Sequence, residues 1–170
     1  ACSAVLSTLR GRGASSPVEP YATWNEHRPV RGDLAHEPGA PRPGVERFRS
    51  WVLSRFGGRA LGIWGDASHA GTSDHYRGRA WDWGNPDYDS AVALLDALFA
   101  EVGGEPHALA RRLGLPYLIF DRVLYAAHDP VPFAGRPYAG KDAHRTHVHV
   151  SFSPRGAMGQ TSAFTEGVIP

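Results

Sequence analysis

Three of the chain's nine histidines fall within six residues, at His144, His147 and His149. The surrounding run His147–Phe152 alternates as a strand does: His147, His149 and Ser151 share one face, and Val148, Val150 and Phe152 share the other. The apolar face would pack, leaving two imidazoles side by side on a rigid support. They either line a cleft or form a polar edge toward water. A second cluster spans Ser73-Asp74-His75-Tyr76-Arg77-Gly78-Arg79-Ala80-Trp81-Asp82. His75 on a loop and Asp82 on the next strand are seven positions apart, with Gly78 between them to turn the chain. Such a hairpin can bring an imidazole nitrogen and a carboxylate oxygen to one ion. Two ligands from it and one from the histidine-rich strand would make a three-ligand zinc site with an open fourth position, the pattern of a catalytic metal. The single cysteine, Cys2, leaves the ligation to nitrogen and oxygen. The alternatives at this level are an Asp82 paired with Arg79 or Arg122, and a His75 bonded to backbone.

Those residues need elements to hold them. Val45, Phe48, Trp51, Val52 and Phe56 recur at helical spacing behind Pro43 and before Gly57-Gly58, which predicts a helix over 43–56. Strands are expected at 60–64 and 79–83, joined by the loop Gly65 to Asp74. A second helix is expected to be capped at Asp89-Ser90, to bury Val92, Leu95, Leu98, Phe99 and Val102, and to stop at Gly103-Gly104. Pro106 to Leu113 reads as a shorter helix closed by Gly114, followed by strands over 117–120, 123–126 and 147–152. Trp81 and Trp83 alternate with Asp82 and should face the core. Few βαβ repeats and many short strands predict one α+β domain, with a mostly antiparallel sheet and flanking helices. Residues 1–42 read as an extended or partly ordered arm rich in Pro, Gly and Arg, anchored by Tyr21, Trp24 and Val30. The catalytic unit would be 43–170.

The two motifs together resemble a known family. Ser73-x-His75-x-x-Gly78-x-Ala80-x-Asp82, followed about sixty residues later by a His-x-His strand, is similar to the LAS zinc metallopeptidases. These include D-alanyl-D-alanine dipeptidases and carboxypeptidases, L-alanyl-D-glutamate endolysins and penicillin-insensitive murein endopeptidases, on the hedgehog/DD-peptidase fold. The resemblance implies that His75, Asp82 and His149 are zinc ligands and that Ser73 lies near the substrate. It implies hydrolysis of peptidoglycan stem or cross-link peptides outside the cytoplasm, by a secreted, wall-associated enzyme or a phage lysin.

Two positions depart from the family pattern. Where its general base is often an acid, three residues before the last ligand, this chain has Thr146, which cannot take a proton from water. His144-x-x-His147-x-His149 instead resembles the histidine triplet of the murein endopeptidase branch. His147 then becomes the proton acceptor and His144 the group that orients it or meets substrate. No arginine precedes the Ser-x-His motif between Ala60 and Tyr76. Gly65-Asp66-Ala67-Ser68-His69-Ala70 stands there instead, with His69 either at the site or part of the scaffold. Arg77, Arg79 and Arg122 are candidates for a substrate carboxylate or else solvated surface, and they stay outside the predicted site.

Composition narrows the classes further. With 42% hydrophobic and 21% charged residues, the 170-residue chain is ordinary globular material. Eighteen Lys+Arg against 17 Asp+Glu, with no single-sign run, argue against a nucleic-acid partner. No apolar run is long enough to span a membrane, and one cysteine excludes an internal disulfide framework. Any export signal would have been removed before Ala1, and a monomer is expected. Two other classes fit the same residues: a metal-bearing binding module or degenerate peptidase on this fold, and a small-molecule metalloenzyme, since two His and one carboxylate also suit non-haem iron.

Overall fold

The computed structural model describes residues 18–23, 41–63, 74–85 and 87–170. Pro43 opens helix α1, Pro43–Phe56, and the amide of Gly57, which lies at φ 70°, closes it on the Leu53 carbonyl at 3.1 Å. One side of α1 drives Val45, Phe48, Trp51, Val52 and Phe56 into the core. Strand β1 is Arg59–Gly62, earlier and shorter than expected, with an irregular register against its partner. A single 3₁₀ turn, Asp74–Arg77, leads through Gly78 into β2, Ala80–Gly84.

Helix α2 is Tyr88–Phe99, and its cap corrects the sequence reading. Asp87, not Asp89-Ser90, is the N-cap, its carboxylate accepting the Ser90 amide at 2.7 Å. The buried face is Ala91, Leu94, Leu95, Ala97 and Leu98, whereas Val92 is exposed. The helix ends before Val102. That residue instead exchanges two backbone hydrogen bonds with Glu105, around Gly103-Gly104 at φ 64° and 84°. Two glycines in the left-handed region suit a tight hairpin turn better than a helix stop.

Helix α3, Ala108–Leu113, starts two residues later than expected because His107 takes a left-handed cap conformation, and it ends at Gly114. Then come β3, Tyr117–Phe120, and β4, Val123–Ala126, at the expected residues, followed by the two-residue β5, Arg136–Pro137. Strand β6 is Val148–Ser151, so His147 and Phe152 flank it rather than belong to it. Two helical turns that the sequence reading did not anticipate, α4 (Pro154–Ala157) and α5 (Ser162–Thr165), follow.

The six strands form one sheet in the order β1-β2-β6-β3-β4-β5, each adjacent pair antiparallel. The fold is α+β, as expected. Trp81 and Trp83 are fully buried on the face toward α1, with the Phe48 ring edge-on to Trp81 and Phe152 and the Phe56 ring edge-on to Trp83. The Trp83 indole donates to the Gly57 carbonyl at 2.9 Å, fixing the end of α1 to the strand that carries Asp82. Gly44 lets α1 meet α4 backbone to backbone, since a Cβ there would collide with the Gly156 carbonyl.

Of the N-terminal arm, Val18–Thr23 has neither helix nor strand and lies against the domain. Val18 and Ala22 are buried, and the Tyr21 hydroxyl is hydrogen-bonded with His107 Nδ1 at 2.9 Å. Arg111 Nε donates to the Glu19 carbonyl, and the Glu19 carboxylate accepts the amide and hydroxyl of Ser162. Trp24 and Val30 lie outside the described residues. No helix among the described residues is long and apolar enough to cross a membrane.

Candidate metal centre

The centre is assembled by register. Strands β2 and β6 pair so that Asp82 stands directly opposite His149, and opposite residues of an antiparallel pair project to the same face. That face is the one turned away from the tryptophans. His75 arrives from the 3₁₀ turn. The turn is closed by backbone bonds from Gly78 to His75 and from Arg79 to Asp74, each 3.0 Å, and Gly78 sits at φ 66°.

The three side chains converge on a single small volume. His75 Nε2 lies 3.2 Å from His149 Nδ1 and 3.3 Å from Asp82 Oδ1, and His149 Nδ1 lies 3.0 Å from Asp82 Oδ1. Ligands bonded to zinc at about 2.0–2.1 Å stand about 3.3–3.4 Å apart along a tetrahedral edge, so this triangle is close to the size an ion requires. The remaining ring nitrogens are already engaged. His75 Nδ1 donates to the Ile63 carbonyl at 3.0 Å, which leaves its Nε2 as the lone-pair nitrogen, and His149 Nε2 meets Ser151 Oγ at 3.0 Å. Outer hydrogen bonds of this kind set the tautomer of a metal-ligating histidine. The residues therefore fit a divalent cation, with zinc among the ions suited to an N₂O set.

Electrostatics reinforce the cluster. Burial works to raise Asp82, but hydrogen bonds and charge from His149 and His75 override it and hold the carboxyl well below its usual range. Burial likewise opposes charge on His75, yet Asp82, the Ile63 carbonyl and Asp74 leave its pKa above the ordinary histidine value. Neither Arg79 nor Arg122 is Asp82's partner. The backbone alternative for His75 holds as well as its place in the cluster, because one ring nitrogen serves each.

Asp74 and Tyr117 brace the centre. Asp74 is buried and receives Tyr117 Oη at 3.2 Å and Arg79 Nη2 at 3.2 Å, with Arg77 Nη1 at 3.7 Å. This ties the His75 turn to β3 and turns both arginines inward. Tyr117 stacks on His149, with ring centroids 5.6 Å apart and planes 18° from parallel. Burial first, then the charge of Asp74, raises the Tyr117 pKa, so the phenol keeps its proton. The sequence cue for Asp74 was an acid next to a ligand histidine with arginines three and five residues on. Nothing local marks Tyr117, which reaches the site through the pairing of β3 with β6.

The other predicted histidines lie alongside. His144, held at φ 49°, is buried, and its ring sits 4.8 Å from that of His147 and 5.7 Å from that of His149. His144, rather than His147, is thus the imidazole whose ring meets that of His149. Burial lowers its pKa and keeps it neutral. His147 is partly exposed just before β6, with Thr146 Oγ1 3.5 Å from its Nδ1. Ser73 and His69 lie outside the described residues.

The fold and site define an α+β domain with a candidate His₂Asp metal centre on the open face of its central strands. The family model for the VldE C-terminal domain matches residues 37–149, about two thirds of the chain, and the chain belongs to that family. No curated protein and no solved structure matched it.

Proposed function

We propose that this domain is a zinc-dependent peptidase that hydrolyses peptide bonds in peptidoglycan stem or cross-link peptides. The observation that carries the reading is the triangle of His75 Nε2, Asp82 Oδ1 and His149 Nδ1, with edges of 3.0–3.3 Å. The substrate class rests on the resemblance of the two motifs to the LAS metallopeptidases. A zinc ion held by these three residues would supply a Lewis acid and bring the pKa of water down to about 7.

The chain's own groups account for the rest of the chemistry. His144 and His147 form a neighbouring imidazole pair, suited to accept a proton from the attacking water and return it to the leaving amine. Of the two, His147 is the more open to solvent and takes the acceptor role, while His144 orients it from the side of His149. Thr146 takes no part in proton transfer. Asp74 and Tyr117 hold His75 and His149 in place from behind. The proposed setting is the bacterial cell wall, reached by secretion or delivered as a phage lysin.

The test is mass spectrometry of purified peptidoglycan incubated with protein carrying one equivalent of zinc, with and without chelator. New peptide ends that vanish with chelator and return with zinc support the reading and identify the bond. An unchanged muropeptide profile would sink it and favour a binding role for the same centre.

A further inference from the structure

A second donor cluster adjoins the first and shares no member with it. Asp142, His144 and His147 each present one ligand atom, and the three atoms lie within 4.8 Å of one another. Asp142 divides its carboxylate. Oδ1 accepts the His144 amide at 2.9 Å, and Oδ2 turns toward His147 Nε2 at 3.8 Å. That last separation is too long for a hydrogen bond. It is within about half an ångström of the 3.3–3.4 Å edge between two ligands of one tetrahedral ion. His144 Nδ1 donates to the Asp142 carbonyl at 2.9 Å, so its Nε2 keeps the lone pair, and the residue is only 7% exposed. Asp142 is exposed, which leaves the cluster open to exchange with solvent.

We propose that Asp142, His144 and His147 form a second site for a divalent cation of the zinc class, beside the His75/Asp82/His149 centre. The ring contact between His144 and His149 makes one wall common to both. A consequence rests on the peptidase reading: an ion here occupies the lone pairs that His147 and His144 would offer to a proton. The first equivalent of zinc then activates the enzyme and the second inhibits it.

The experiment uses the full chain stripped by chelator, then dialysed against buffered free zinc, with bound metal counted by elemental analysis and folding followed by circular dichroism. Asp142→Asn is the informative variant, since the amide oxygen can still accept the His144 amide while the neutral side chain is a poor zinc ligand. Two equivalents in the wild type, one in Asp142→Asn and one in Asp82→Ala are expected. A single wild-type equivalent that Asp142→Asn keeps and Asp82→Ala loses would overturn the second site alone. A single equivalent that Asp142→Asn loses and Asp82→Ala keeps would support this site and overturn the ligand set of the proposed peptidase. Two equivalents retained by Asp142→Asn would place the extra ion elsewhere and overturn the assignment. In the peptidoglycan assay, inhibition by excess zinc should be present in the wild type and lost in Asp142→Asn. Its persistence in the variant would overturn the inhibitory role.

Discussion

Asp74→Ala tests how the His75 turn is held. The carboxylate has about 2% of its side chain exposed, and it faces the Arg79 guanidinium, itself about 9% exposed, at 3.2 Å. Deleting it leaves that guanidinium without its acid in a dry environment, a loss that typically costs about 3–5 kcal/mol. It also removes the acceptor of the Tyr117 hydroxyl. For a domain of this size about 1 kcal/mol moves the melting temperature by about 2–4 °C, so a fall of about 6–20 °C is expected. The measurement is urea denaturation and thermal melting of the zinc-free protein, with Asp74→Ala/Arg79→Met alongside. Removing both charges should recover much of the loss, because the cost lies in a buried charge that has lost its acid rather than in the missing pair. Zinc affinity of the folded single variant should fall by about 10–100-fold, the usual effect of loosening a group behind a ligand. A destabilisation below about 1 kcal/mol, or a double variant no better than the single one, would refute the account of Asp74 as the anchor of the turn.

His75→Ala, Asp82→Ala and His149→Ala should each lose zinc from the first centre together with activity, and full occupancy in any one would strike that residue from the ligand set. His147→Ala should keep that metal with a rate lower by about 10²–10⁴, read from muropeptide release. Gly44→Ala should destabilise by at least about 1–3 kcal/mol in denaturant unfolding, because the added methyl meets the backbone of α4 rather than a movable side chain. For His107, burial and then the Arg111 charge lower the pKa, so the folded protein binds this proton less readily than the unfolded chain. Its contribution to stability is therefore complete above the unfolded value of about 6.5 and declines as pH falls through it, levelling off below the lowered folded value. His107→Asn should flatten the stability profile of the zinc-free protein between about pH 5 and 7, and an unchanged slope would contradict this.

The three residues of the candidate centre were legible because their spacing carries geometry. A turn glycine between His75 and Asp82, and strict alternation around His149, are local signals that survive without a structure. Helix α1 and strands β3 and β4 were readable for the same reason, each being a periodic run between clear stops. The cap of α2 was misplaced because Asp87 and Asp89 are chemically equivalent in sequence, and only the bond to the Ser90 amide separates them. Gly103-Gly104 was read as the end of a helix when it is a hairpin turn, since glycine serves both. Tyr117 and Asp142 escaped notice because their roles depend on which strands become neighbours, or on which carboxylate oxygen is left over after a backbone bond is made. The short β5, α4 and α5 are too brief to show a period.

The strand order has a consequence for how the protein comes into being. β6 is the last strand in sequence yet lies in the middle of the sheet, between β2 and β3. The hairpins β1–β2 and β3–β4 can form from local chain as it is made, but they have no common edge until β6 inserts between them. Asp82 waits for a partner 67 residues further along the chain. During synthesis the candidate centre thus has only two of its three residues until the ribosome has released residues 148–151 and the sheet has closed. The growing chain cannot complete that cluster early, and closing the sheet and completing the candidate centre become one event.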